Sequence, residues 1–349
     1  MRVGYSGLEN HRRLLTSQTG EKVVLGLIFS YNRALQLDGT LRSLLKHCRD
    51  VESLNLFVLY LTSSPLHARL YIQLKQEYAI WPQIVFIEQR NFRRDVLELL
   101  YQPTYEKQAD IIRRWLISMG WRFGFINNLW KKSEALENTI LFLVDDNIFV
   151  KDFLLQDAIH GLEQIPDALG FSLRLGTNTT YCYTFDKPQL LPVFEHTSFS
   201  TSKSHSRQND LPAILKFDWT VGEADFGYPL EVSSSIFRLD DVRPVINNLP
   251  FQNPNFLESR LSQQVDRFRN LKPYLLCYDR SVTFCNPINK VQKLHQNRAG
   301  VKIGYSVEEL AWKFEMGERF KVTEYDGFVP TGCHQEVEMV FENKVLYEI

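Results

Sequence analysis

Asp145 and Asp146 stand side by side directly after the apolar run Ile140-Leu141-Phe142-Leu143-Val144, and Asn147 follows them. Adjacent carboxylates at the end of a buried strand repel each other and resist desolvation. A divalent cation relieves that repulsion, and Mg2+ or Mn2+ typically binds one or two carboxylates together with the phosphates of a substrate. Asp145, Asp146 and Asn147 are therefore candidate metal ligands, with a diphosphate leaving group as the species neutralised. The alternative is a plain turn that caps the next element.

Glu258 closes the stretch Asn253-Pro254-Asn255-Phe256-Leu257-Glu258. A carboxylate after a rigid Asn-Pro-Asn turn can act as general base on a hydroxyl, or it can be an ordinary acid in a first helical turn. Asp218-Trp219 and Glu223-Ala224-Asp225-Phe226-Gly227-Tyr228-Pro229 mix carboxylates with rings. They read either as a wall on which sugars stack, or as a surface loop with core-facing aromatics. Arg174, Arg238, Lys290 and Arg298 are isolated cations, each a holder for a diphosphate or a partner in an ion pair. His295 either completes a metal site or is structural.

The elements that position these groups alternate. Val23–Phe29, Leu54–Leu61, Ile84–Ile87 and Ile140–Val144 are near-continuous apolar runs, as expected of strands buried on both faces. Between them, Leu41, Leu44, Leu45 and Cys48 recur at helical spacing, Pro65 opens a helix to about Ala79, and helices are expected over Arg94–Leu100 and Asp110–Lys131. This alternation predicts an α/β fold with a mostly parallel central sheet flanked by helices, whose ligands sit beyond the carboxyl ends of the strands. Ser30–Arg33, Glu88–Asn91 and Asp145–Asn147 are the polar strand ends that would converge there. The second half reads as less regular, with His196–Asp210 resembling a mobile loop. Ser306-Val307-Glu308-Glu309 forms a capping box before a helix to about Phe320, followed by an extended tail. We divide the chain into a polar segment 1–20, a regular half 21–150, a less regular half 151–300, and a C-terminal helix and tail 301–349.

With 349 residues the chain can bury one large core. Forty basic against 41 acidic residues leave a net charge of −1, which argues against nucleic acid as partner. Five scattered cysteines, never in a CxxC pair, suggest neither a disulfide framework nor zinc. The sequence shows no signal-peptide-like or membrane-spanning run, so we expect a cytoplasmic protein, at most peripheral at the inner face of a membrane. No Gly-x-Ser-x-Gly, P-loop or strand-linked Gly-x-Gly-x-x-Gly motif is present.

Val-Leu-Gly-Leu-Ile-Phe-Ser-Tyr-Asn-Arg (24–33) resembles the opening nucleotide-binding segment of GT-A glycosyltransferases, especially family-2-like ones. Leu-Phe-Leu-Val-Asp-Asp-Asn (141–147) is similar to their DXD metal motif. Segments 91–100, 171–183, 227–238, 253–258 and 289–298 extend the resemblance to a group of bacterial glycosyltransferase-like proteins, over roughly residues 22–345. The resemblance implies an inverting, metal-dependent transfer from a nucleotide-sugar to a glycan, a lipid-linked glycan or a small hydroxyl acceptor. Ser30, Asn32 and Arg33 would line the nucleotide pocket, with Glu88 or Gln89 near the base and Arg174 among the donor contacts. Asp145 and Asp146 would hold the diphosphate through Mn2+ or Mg2+. Asn147 stands where many relatives carry an acid. Glu258 is the first choice for the base and Asp225 the second. Nucleotidylyl transfer is the competing enzyme reading, disfavoured by the single glycine in 26–33. A non-catalytic sugar- or nucleotide-binding protein is the other.

Overall fold

The computed structural model describes residues 23–101, 138–198, 212–290 and 298–343. The expected helix Asp110–Lys131, most of the loop His196–Asp210, His295 and the segment 1–20 lie outside the described residues. Fifteen strands and eight α-helices are described. Nine strands form one sheet in the order β3-β2-β1-β4-β11-β6-β12-β10-β9. They are β1 (Val24–Tyr31), β2 (Leu54–Leu61), β3 (Ile84–Glu88), β4 (Thr139–Val144), β6 (Ala168–Ser172), β9 (Glu195–His196), β10 (Ile214–Asp218), β11 (Ser235–Arg238) and β12 (Tyr274–Tyr278). Only β10 and β11 run against the others, so the sheet is mostly parallel. Three two-stranded ladders accompany it: β5 (Asn147–Phe149) with β13 (Thr283–Cys285), β7 (Tyr181–Cys182) with β8 (Lys187–Pro188), and β14 (Glu318–Phe320) with β15 (Phe341–Asn343).

The apolar runs explain the central position of β1 and β4. In β1, Leu25, Leu27 and Phe29 enter one core layer, while Val24 and Ile28 enter the other. In β4, Ile140 and Phe142 face the first layer, and Leu141 and Leu143 the second. Side chains alternate along a strand, so an unbroken apolar run is stable only when helices cover both faces. Those helices are α1 (Ala34–His47), α2 (Pro65–Glu77), α3 (Phe92–Leu100), α4 (Leu155–Gln164), α5 (Leu239–Asn247), α6 (Pro254–Ser262), α7 (Asp266–Arg269) and α8 (Val307–Glu315).

Local signals set the helix ends. Ser64, Asn91, Asn253 and Ser306 each cap a helix by accepting a backbone N–H in the first turn. The helix expected to reach Phe320 stops at Glu315. Gly317, at φ +90°, takes a left-handed conformation that ends it, and Glu318–Phe320 turns into β14 instead. The second half is more ordered than its sequence suggested: β6, β9, β10, β11 and β12 all join the main sheet. All five cysteines are unpaired and buried.

One buried carboxyl ties the end of the chain to the first helix. Asp38 on α1 accepts from the Tyr78 hydroxyl at 2.9 Å and faces Arg42 at 3.9 Å and Arg319 at 3.8 Å. Its Oδ2 has no hydrogen-bond partner, and burial lifts its pKa to about 6 against the two arginines. Because the folded pKa lies above the unfolded one, the fold favours the protonated form. That contribution is complete below the unfolded value and is lost as pH rises through about 6. Wild type should therefore lose about 2–3 kcal/mol relative to Asp38→Asn between about pH 4 and pH 7. Chemical denaturation of both proteins across that range measures the gap, and a gap independent of pH rules the assignment out.

Candidate active site

The carboxyl ends of β1 and β4 meet because the two strands pair in parallel, Phe29 opposite Val144. The next residues, Ser30 and Asp145, are then neighbours. Ser30 Oγ donates to Asp145 Oδ2 at 2.8 Å, and the Tyr31 N–H donates to the same oxygen at 3.1 Å. Arg33 Nη1 reaches Asp145 Oδ1 and Asp146 Oδ2, each at 3.1 Å, and Nη2 donates to the Asn289 carbonyl at 2.6 Å. Behind them the buried Tyr71 hydroxyl bonds Ser30 Oγ and accepts from the Arg33 N–H. Tyr71 is fixed by stacking on Tyr60 at a centroid distance of 4.6 Å.

One guanidinium thus serves two carboxylates, and the pair keeps uncompensated negative charge. Burial pushes Asp146 up to about 6, with Asp145 adding to the rise and Arg33 opposing it. This shortage of positive charge, on hard oxygen donors, fits a divalent cation. Among the described residues no set of three His, Cys, Asp or Glu side chains encloses an ion. The ion would draw the rest of its shell from phosphate and water, as Mg2+ commonly does. Asn147 is placed differently from the sequence expectation of a third ligand. It is fully buried, its Oδ1 accepts the Val144 N–H at 2.9 Å, and its Nδ2 faces Cys285 Sγ at 3.5 Å. Its amide closes the Asp145-Asp146 turn, and ligation would cost that bond. The turn leads into β5 and not into a helix.

A cavity of about 500 Å3 opens beside the end of β1, lined by Tyr31, Asn32, Asn289, Lys290, Gly304 and Ser306 among others. Asn32 holds φ +58° and is locked by two hydrogen bonds with Ser63, at 2.7 and 2.9 Å. The Asn289 Nδ2 is buried with no hydrogen-bond partner, a donor left for a bound molecule. Arg33 bonds both the carboxylates and the carbonyl of Asn289, a residue of the cavity wall. Glu88 and Gln89, expected near the base, do not line this cavity. β3 is the sheet edge, separated from β1 by β2, and each strand adds about 4.8 Å.

A second polar cluster lies around Arg174. Arg174 is buried, donates from Nη1 to Ser233 Oγ at 2.8 Å and stands 3.7 Å from Glu231. It also feels the charge of Asp225, and Glu258 feels the charge of Arg174. Arg174 therefore stands among carboxylates, with Glu231 the one in ion-pair distance among the described residues. Glu258 does not sit in the first turn of α6, which contains no acid. Its Oε2 accepts the Val232 N–H at 3.2 Å, and burial raises its pKa, with Arg174 opposing and Glu231 adding. Burial likewise raises Asp225, whose carboxylate accepts from Gln189 Nε2 at 3.1 Å. Cys285 links the clusters, since its Sγ accepts from Asn147 Nδ2 and its thiol feels Asp146, Arg174, Glu231 and Glu258.

The remaining sequence candidates are structural. Trp219 is buried and donates to the Lys272 carbonyl at 2.7 Å, Asp218 caps its own turn, and Phe226 is buried, so these rings face the core. Arg238 donates to the Ala168 and Ile165 carbonyls, and Arg298 pairs with Asp186 at 2.6 Å. Two contributors escaped the sequence reading, Glu231 and His334, while Tyr228 of the candidate sugar wall stands beside Glu258. The segment after α8 bridges to β13 at Cys285 and brings His334 toward Arg174. Desolvation and the Arg174 charge push this imidazole down to about 3, keeping it neutral.

No family model matches the chain. Over 296 residues it is 26% identical to the bifunctional glycosyltransferase pgtA of Dictyostelium discoideum, covering 78% of this chain and 32% of that protein. The chain thus spans about a third of the length of that curated relative. Among solved structures, S. aureus TarS aligns over 75% of this chain and 36% of its own, with TM-score 0.41 and 11% identity. The galactosyltransferase LgtC, in complex with donor and acceptor sugar analogs, aligns over 82% and 95% with TM-score 0.29 and 12% identity. The curated relative is a glycosyltransferase, the class that the motif resemblance also implies. Among the described residues no helix is long and apolar enough to cross a membrane.

Proposed function

We propose that the chain transfers a sugar from a nucleotide-sugar to a hydroxyl acceptor with inversion, in a metal-dependent reaction. The observation that carries this reading is the under-compensated pair Asp145–Asp146 at the β1–β4 strand ends, next to the cavity beside Asn32 and Asn289. The nucleoside would occupy that cavity, with the unpartnered Asn289 amide as a hydrogen-bond donor and Lys290 on its wall. Arg33 would stand between nucleotide and carboxylates. Asp146, supported by Asp145, would hold Mg2+ or Mn2+, which supplies charge neutralisation for the departing diphosphate.

Glu258 takes the proton of the acceptor hydroxyl on its carboxylate. The acceptor oxygen then bonds the anomeric carbon from the face opposite the diphosphate, and the carbon–oxygen bond to the diphosphate breaks with its electron pair. A base with a raised proton affinity suits this task, because it holds the transferred proton near neutral pH. Arg174 opposes that rise.

The test is donor hydrolysis across UDP-, GDP-, TDP- and CMP-sugars, with and without Mn2+, followed by acceptor-dependent transfer. Metal-stimulated release of one nucleotide is expected. Absence of turnover together with absence of metal-dependent nucleotide binding in calorimetry overturns the proposal.

A further inference from the structure

Glu231 is a buried carboxylate that no step above uses. It is 2% exposed and lies between the turn at Tyr228 and β11. Three consecutive serines wrap it. The Ser233 N–H and hydroxyl both donate to Oε2, the Ser234 N–H reaches its two oxygens at 3.1 and 3.2 Å, and the Ser235 hydroxyl donates to Oε1. These serine donors fix the carboxylate in place, and it faces the guanidinium of Arg174.

Ser233 does two jobs at once: its hydroxyl donates to Glu231 and accepts from Arg174 Nη1 at 2.8 Å. Arg174 Nε, 3.7 Å from Glu231, is buried with no hydrogen bond of its own. The guanidinium is therefore placed by one hydroxyl and one fixed charge. Its other neighbours are Asp225, Cys285, Cys333 and His334, and Glu258 feels it in turn. Around Glu258 the titratable and charged groups are Arg174, Glu231, the Tyr228 hydroxyl and the Cys285 thiol.

We propose that Glu231 is a positioning residue of the transfer: with Ser233 it holds Arg174 off Glu258, leaving the Glu258 carboxylate available to the acceptor proton. Without the Glu231 charge, the guanidinium keeps Glu258 and Asp225 as its anionic partners and closes on them. An opposite charge at shorter range stabilises the ionised carboxylate and weakens it as a base. Loss of repulsion from Glu231 acts in the same direction. The inference rests on the reading of Glu258 as base.

The experiment uses Glu231→Gln, Glu231→Asp and Glu258→Gln in the full chain. Protonated carboxyl at Glu258 is titrated by carbodiimide labelling with a glycine ester across pH, mapped by mass spectrometry, and donor turnover is measured in parallel. Glu231→Gln should move the Glu258 labelling midpoint to lower pH and reduce kcat roughly 10²-fold, as for a misplaced catalytic group. Donor KM should hold, and Glu231→Asp should return the midpoint towards wild type. A purely structural Glu231 would lower the melting temperature with the midpoint unmoved, and that result overturns the proposal. Ser233→Ala, which removes only the shared hydroxyl, gives the same readout if Glu231→Gln does not fold. Wild-type turnover in Glu258→Gln would refute the base itself, and the inference with it, whatever the labelling shows.

Discussion

Asp146→Ala is expected to remove metal-stimulated release of nucleotide, with turnover down at least about 10²-fold. Charge neutralisation of a leaving diphosphate is worth several kcal/mol in such sites. Asp146 is the more informative of the two acids, because Asp145 has a second duty. Both Asp145 oxygens are held by Ser30, the Tyr31 N–H and Arg33, so Asp145→Ala also unties β1 from β4. The Asp146 carboxylate bonds Arg33 and ties no strand end to another. The check is nucleotide release titrated with Mn2+, alongside a melting curve. Asp146→Ala should melt close to wild type yet lose the metal response. A variant that keeps both its rate and its Mn2+ dependence would show that the carboxylate pair is only a turn.

Glu258→Gln should lower kcat by ~10²–10⁴-fold with donor affinity unchanged. The amide preserves size and can still accept the Val232 N–H, so the loss reads out proton transfer and not packing. The sign of the pH effect follows from the raised proton affinity. The base works only when deprotonated, so wild-type kcat should climb with pH through a limb lying above the ordinary glutamate range. The Gln variant should show no such limb. Survival of both rate and limb in Glu258→Gln would transfer the role to Asp225, whose carboxyl is likewise raised by burial and sits on the same arginine.

What could be read from the sequence follows the physics of each element. The first strands were legible because burial on both faces leaves an unbroken apolar run, as in Val24–Tyr31 and Thr139–Val144. The helix start at Pro65 and the cap at Ser306 were legible because their signals are local. The end of α8 was misplaced: the helix stops at Glu315, and Gly317 at φ +90° breaks it before Phe320. The strands β6, β10 and β12 are five residues each, set between irregular loops, and such short runs carry little periodicity.

For the site, the adjacent acids could be found in the sequence, but the role of Asn147 could not. An amide that satisfies a backbone N–H three residues back looks, in one dimension, like a third ligand. Glu88 and Gln89 end a strand as the site residues do, but their strand lies at the edge of the sheet. Glu231 was invisible for another reason. Ser233-Ser234-Ser235 reads as a polar surface stretch, and only the fold turns all three inward onto one carboxylate.

Cys333 and His334 reach the Arg174 cluster from the far end of the chain: the Cys333 thiol meets the Arg174 carbonyl at 3.8 Å across 159 residues, and Cys285 bridges His334. During synthesis the ribosome releases β1 through β4 and their covering helices long before that segment emerges. A nascent chain can thus join the strand ends that carry Ser30 and Asp145 while the Arg174 cluster still has one wall missing. Contacts closed over such long loops form late. Until then the partly made protein would hold its carboxylate pair but lack the enclosure around Arg174.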